Sequence, residues 1–244
     1  MEPAEYRRLA AVEDTMGYFR ALHGHVHVAL DRHLGGRPAR ILDAGCGTGG
    51  LIRRLAEFEP GWTWVGVDQS TLACELARGR CEAEIREASV TALPFAPAEF
   101  DAVVSADVLY HVEDDATALT EFARVLRPGG VVVLNVPAHR WLWSYHDVAT
   151  HAERRYARSE LHAKLVAAGL DVVRLTHWNA LLLPLVWARR KVFPPPAGGS
   201  DVQAYSLPVE LLFEAAMALE RGWLGLEGNF VFGSSLLAVA KKRS

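Results

Sequence analysis

The chain has 244 residues, half of them hydrophobic, and a formal net charge of −3. That length and apolar content suit one substantial α/β domain. No cationic run is longer than Arg189-Arg190-Lys191 or Lys241-Lys242-Arg243, which argues against a nucleic-acid reader, whose surface carries a basic stripe.

Taken in chain order, the first residues, MEPAEYRRLAAVED, are charged and have no apolar core, so no signal peptide is expected. Residues 5–34 show helical spacing, and segment 1–36 is expected to form a helical lid. Segment 37–177 alternates strand-like and helical stretches. ARILDAG, WTWVGVD, FDAVVSAD, VVVLNVP and LDVVRLTH read as strands; GGLIRRLAEF, STLACELARG and ATALTEFARVLRPGG read as helices, the last closed by Pro and Gly. Repeated β-α-β units predict a parallel sheet with helices on both faces. Segment 178–228 reads as a helical insertion. Its two apolar helical stretches, Leu181 to Phe193 and Pro208 to Leu226, flank PPPAGGSD, Pro194 to Asp201, which has loop or hinge composition. Such apolar stretches should cover a substrate pocket, a partner subunit or a membrane surface. Segment 229–244, with FVFGSSLLAVAKK, supplies the last strand. Cys46, Cys74 and Cys81 form no CxxC pair and suit reduced thiols in a cytoplasmic protein.

The stretch ILDAGCGTGG, Ile41 to Gly50, carries the most chemistry. Glycines at 45, 47 and 49 permit positive φ and close approach of a ligand to the backbone. The spacing is D-x-G-x-G-x-G rather than the G-x-G-x-x-G that holds a pyrophosphate. Asp43, just before the loop, suits a ligand with a cationic group. Asp68, ending VGVD, is placed for ribose hydroxyls. A nucleoside that is positively charged and lacks phosphate meets both demands, namely S-adenosylmethionine.

ILDAGCGTG, VGVDQS, ALPFAPAEFDAVVSADVLYHV and VLRPGGVVVLNVP, spanning Arg40 to Pro137, together resemble the class I S-adenosylmethionine-dependent methyltransferases of the bacterial small-molecule and natural-product type. The resemblance implies a Rossmann-like, seven-stranded, mostly parallel sheet, decorated by the N-terminal lid and the helical insertion before the last strand. It implies that Asp43 and the backbone of Gly45, Gly47 and Gly49 face the methionine part of the cofactor. Asp68 would hold the ribose, with Gln69 beside the adenine. Ser89 stands where the family often has an adenine-binding Asp. Val90 would offer its N–H to the ring, and Ala106 its carbonyl to the methionine end.

The acceptor side is less defined, because methyl transfer from a sulfonium asks chiefly for alignment and proton removal. SADVLY, Ser105 to Tyr110, lacks the N/D-P-P-Y/F tetrad typical of enzymes that methylate nucleobase or glutamine amino groups. The N-terminal stretch resembles the bacterial pattern E-x-x-x-W-[WY]-[FY]-R, with Gly17 at the Trp position. That resemblance puts Tyr18 and Arg20 near the methionine carboxylate or over the acceptor; Glu13 and Tyr18 are catalytic candidates, and among the nearby histidines His23 is expected to face the site as another. His23 and His27 have i, i+4 spacing but no third ligand, so no metal is expected. His111 and Tyr110 follow the fourth strand. Pro137 to Tyr156 resembles the W-S-x-H-D…H-x-R-R-Y segment of a bacterial subgroup, offering His146 or His151 as base or polar anchor and Trp143 and Tyr145 as pocket wall. Trp178 would stack on the acceptor.

The expected function is methyl transfer to a small, largely apolar or aromatic acceptor, such as C- or N-methylation of an indole in natural-product biosynthesis. One alternative is a polyprenyl or glycolipid acceptor at a membrane touched by 181–193, a stretch that could instead be a lid or a homodimer interface. Another is a non-catalytic scaffold on the same fold.

Overall fold

Side chains alternate between the two faces of a strand, and these strands are apolar on both. In β1 (Ala39–Ala44), Leu42 and Ala44 join one buried cluster while Ala39 and Ile41 join another. In β4 (Phe100–Ala106), Val103 packs with the first cluster, and Ala102 and Val104 with the second. A sheet of this kind needs helices on both sides. The computed structural model describes residues 3–194, 200–203, 205–226 and 228–243. Residues 195–199 of the expected loop or hinge lie outside the described residues.

The other strands are β2 (Trp62–Asp68), β3 (Glu84–Glu87), β5 (Leu126–Pro137), β6 (Leu170–Trp178) and β7 (Ser235–Lys242). They form one Rossmann-like, seven-stranded sheet in the order β3-β2-β1-β4-β5-β7-β6. β1 to β5 pair in parallel, and β7 runs antiparallel between β5 and β6.

On one face, α5 (Asp115–Val125) and α7 (Arg158–Ala167) bury Leu119, Phe122, Leu161 and Leu165 against the sheet. On the other, α2 (Gly17–Leu34), α3 (Gly50–Phe58) and α9 (Leu207–Gly225) contribute Leu22, Val26, Ile52, Leu55 and Met217. The remaining helices are α1 (Pro3–Val12), α4 (Thr71–Arg78), α6 (Tyr145–Ala149) and α8 (Leu183–Trp187). Ser70 caps α4 by accepting from the Ala73 N–H, and Asp114 caps α5 through the Thr117 N–H.

Several boundaries differ from expectation. β3, EIRE, has too few apolar residues to be read as a strand and forms by pairing with β2 at the sheet edge. α5 ends at Val125, before Pro128, because a proline pushes the preceding residue out of helical conformation. Gly129 then sits at φ 73° within β5. The last strand begins at Ser235 rather than Phe230, which makes only an isolated bridge to His177. The stretch 181–193 folds as α8 followed by a π-helical turn, Ala188–Val192. Among the described residues, no helix is long and apolar enough to cross a membrane.

Candidate functional site

One edge of the sheet, where β1, β2, β4, β5 and β6 end and β7 begins, opens into a cavity of about 820 Å³. α1 and α2 wall it on the cofactor-loop side, and the insertion contributes Leu182, Val186, Val209 and Phe213.

Asp43 lies two residues after Ile41 and so shares its face of the sheet. Its carboxyl is 2% exposed and lines the cavity. Burial, followed by the charges of Glu13 and Asp68, pushes that carboxyl up to about 8. Asp68 is anchored differently. Its Oδ2 accepts from the Gly47 N–H at 3.0 Å, its Oδ1 from the Ser70 N–H at 2.9 Å, and the Tyr6 hydroxyl approaches Oδ1 at 3.5 Å. Burial still raises its pKa despite these bonds.

The glycine loop turns tightly between these acids. Gly45, at φ 93°, has no room for a side chain, because a Cβ would stand 2.3 Å from Val108 Cγ2. Gly45 and Gly47 line the cavity; Gly49 does not. It caps α3 in left-handed backbone, packed on Ala77 and Cys81, so its part is to shape the chain. Gln69, Ser89, Val90 and Ala106 all lie on the cavity wall. The Ser89 hydroxyl is engaged by Thr91, whose Oγ1 is 2.8 Å away.

Glu13 reaches the cavity but is held in place by the Thr48 hydroxyl and by Arg80 at 2.7 Å. Arg80 also grips Asp14 at 2.9 Å, so α1 and the turn after it are tied to the glycine loop. The sequence reading singled out neither Thr48 nor Arg80. His23 lies on the wall, where burial, with Arg54 nearby, pushes its imidazole down to about 3. The Tyr18 hydroxyl donates to Asp107 Oδ2 at 2.9 Å.

Arg20 departs from its expected place at the methionine end. Two residues beyond Tyr18 it points around the helix, pairs with Glu214 and lies 3.8 Å from Glu210, off the cavity wall.

On the acceptor side, Tyr110 and His111 line the cavity with ring centroids 3.9 Å apart. His111 Nδ1 donates to the His151 carbonyl at 3.3 Å, its buried Nε2 has no partner, and burial pushes the ring down to about 4. His146 also lines it, with Nδ1 accepting from the Asp201 N–H at 3.0 Å. Burial, with Arg190, pushes it down to about 4.

Four residues expected to meet the acceptor, Trp143 and Tyr145 as wall, His151 as base or anchor and Trp178 as a stacking ring, do not line the cavity. The Tyr145 hydroxyl donates to Asp201 at 2.6 Å, and Asp201 also holds Arg190 at 2.9 Å, so Tyr145 fastens the insertion. His151 offers its carbonyl to His111. Trp143 is 36% exposed and off the cavity. Trp178 is fully buried behind Tyr18, stacked at 5.1 Å, with Nε1 donating to Asn135 Oδ1 at 2.7 Å. Among the described residues no cluster could hold a metal ion.

Three acidic side chains around a tight glycine loop, closed to any side chain at Gly45, suit a cation held against the backbone. Comparison with known proteins agrees. Residues 42–134 match the family model described as a methyltransferase domain. A demethylmenaquinone methyltransferase of Thermus thermophilus is 44% identical over 115 residues, covering 45% of this chain and 52% of that protein. An uncharacterized 37.1 kDa protein of a Streptomyces fradiae transposon is 36% identical over 228 residues, covering 88% of this chain and 64% of that one. The chain thus spans less than two thirds of the length of either relative. A chain in the complex of the Haloferax volcanii Trm112 methyltransferase activator shares the fold, with a TM-score of 0.68 at 22% identity over 99% of this chain and 95% of that one. The family match begins inside β1 and ends inside β5, so the segment that carries Asp43, the glycine loop, Asp68 and the end of β4 matches a methyltransferase domain.

Proposed function

We propose that the chain moves a methyl group from S-adenosylmethionine to a small, largely apolar or aromatic acceptor. The observation that carries this reading is a single cavity joining an acid-rich glycine loop to apolar walls from the insertion. A volume of about 820 Å³ stands toward the upper end of the ~300–1,000 Å³ usual for ligand sites, and suits a donor and an acceptor side by side. Asp43 and the backbone of Gly45 and Gly47 hold the methionine end. Asp68 holds the ribose, and Gln69, Ser89 and Val90 border the adenine. S-adenosylmethionine supplies a methyl group on a good leaving group, so the protein's work is alignment, exclusion of water and, for some acceptors, proton removal. Phe19, Leu22, Val186 and Phe213 bring apolar surface to the acceptor. His23, His111 and His146 are held neutral at physiological pH by burial; the unpartnered His111 Nε2 can accept a hydrogen bond, and His146, whose Nδ1 already accepts from Asp201, can donate one from Nε2. Segments 1–36 and 178–228 act as lids on the two ends of the cavity, and an indole is a suitable acceptor for its walls.

The test is incubation with methyl-labelled S-adenosylmethionine and an extract of the native cells, with Asp43→Ala as control. Label in a solvent-extractable small molecule, absent from the control, supports the reading. Label in protein or RNA, or no binding of S-adenosylmethionine, ends it.

A second reading, an acceptor drawn from a lipid surface, is favoured by the exposed face of the insertion. Leu181, Trp187, Phe193, Leu219, Trp223 and Leu226 are 46–82% exposed, with Arg189 and Lys191 beside them. Wild type would then pellet with anionic vesicles and Phe193→Glu would not. Failure of wild type to pellet removes this reading and leaves a lid or self-association for that face.

A further inference from the structure

Where β4, β6 and β7 meet the cavity, its wall turns polar. Asp107 follows the last residue of β4 in left-handed backbone at φ 56°, a conformation that Asp and Asn tolerate better than most side chains. Both carboxylate oxygens are held from behind. Tyr18 donates to Oδ2 at 2.9 Å, and Asn135 Nδ2 donates to Oδ1 at 2.8 Å. Asn135 is fixed in turn by buried Trp178, which also stacks on Tyr18. Residues from α2, β5 and β6 therefore converge to immobilise one cavity-lining carboxylate from the end of β4.

An ionised carboxylate offers about four acceptor positions, so two bonds leave it able to accept more from a ligand. Burial lifts its pKa to about 6, near the range in which a group can both lose and take a proton at neutral pH. The titratable groups that face it are Tyr18, Tyr110 and Arg155.

Asn179 lies on the wall of the same cavity, just past the end of β6, at φ 54° and 4% exposed. Its Nδ2 donates to Ser234 Oγ at 2.9 Å, while its buried Oδ1 has no partner. A buried acceptor without a donor is costly, and a ligand N–H or O–H would satisfy it.

We propose that Asp107 recognises the acceptor's nucleophilic atom, that this atom carries an N–H or O–H whose proton Asp107 takes, and that Asn179 Oδ1 accepts from a second N–H or O–H of the acceptor. The inference rests on the methyltransferase reading above. The nucleophile's electron pair forms the new bond to the methyl carbon as the carbon–sulfur bond breaks, its pair staying on sulfur. The N–H or O–H proton passes to the Asp107 carboxylate and then to solvent.

Ligand-observed NMR on the protein loaded with S-adenosylhomocysteine tests this without turnover. The probes are pairs differing only in the donor: phenol and anisole, indole and 1-methylindole, aniline and N,N-dimethylaniline. In at least one pair the donor-bearing member should bind about tenfold or more tightly than its methylated counterpart. That preference should fall to near unity in Asp107→Ala, which removes both acceptor oxygens, and for aniline, whose second N–H can reach Asn179 Oδ1, it should also fall in Asn179→Ala. Equal binding within every pair, binding of no probe, or a preference that survives both substitutions overturns the inference. Failure of wild type to bind S-adenosylhomocysteine overturns the methyltransferase reading instead.

Discussion

Asp43 makes cofactor affinity depend on pH in a direction the structure dictates. In the empty site its carboxyl stands at about 8, against 3.8 for an unperturbed group, because it is buried beside Glu13 and Asp68. A cationic cofactor favours the ionised form, so below pH 8 binding must first remove a proton. Affinity should therefore weaken by a factor approaching ten for each pH unit below 8: about tenfold at pH 7 and about a hundredfold at pH 6, relative to pH 9. Stability runs the other way in the empty protein. A folded-state pKa raised above the unfolded one means this group's contribution declines as pH rises from about 4 to about 8, and bound cofactor restores it. Calorimetric titration with S-adenosylmethionine, in two buffers of different ionisation enthalpy, measures both the affinity and the protons released. Asp43→Asn should flatten this part of the profile at lower affinity. A dissociation constant that does not change between pH 6 and 8.5, or a slope unchanged in Asp43→Asn, would refute the reasoning.

Gly45→Ala places a Cβ 2.3 Å from Val108 at φ 93°; combined strain and overpacking of about 2–4 kcal/mol should lower the melting temperature by several degrees, whereas Gly61→Ala, with open space around it, should change it little. The Asp147–Arg155 pair is 2% exposed on both sides, so Arg155→Ala should cost about 3–5 kcal/mol in denaturant unfolding. Arg243→Ala, which removes an exposed partner of Asp171, should cost less than about 1 kcal/mol in the same measurement. Asp68→Ala should weaken S-adenosylmethionine binding by about tenfold or more in a calorimetric titration, while Tyr6→Phe, which loses a long 3.5 Å contact to Asp68, should leave it nearly unchanged.

Every strand but β3 was legible as a short apolar run, with β1, β2 and β4 running into acids, and the cofactor loop because Asp43, Gly45 and Asp68 are adjacent to strand ends in the sequence itself. What the sequence hid depends on direction in space. Arg20 and Tyr18 are two residues apart, yet helical geometry sends one to Glu214 and the other to Asp107. Trp178 reads as a stacking surface by composition, but strand alternation turns it into the core. Asp107 sits in SADVLY, a segment informative at first only for the tetrad it lacks. Its importance comes from Tyr18 and Asn135, which are distant in sequence and close only after folding. The same holds for Thr48 and Arg80, whose grip on Glu13 has no local signature.

The wall shared by α2 and α9 also bears on how the chain is made. The Gly17 N–H donates to Glu210 at 2.9 Å across 193 residues, and α2 buries its apolar face partly against Met217 and Leu224. On a ribosome, α2 must wait for some 193 further residues before this partner exists. The β1–β5 layer can pair and collapse earlier through contacts closer in sequence, so the glycine turn should form before the cavity around it closes. During that interval the part of α2 that meets α9 stays uncovered, while the part that packs on β4, β5 and α3 is already sheltered.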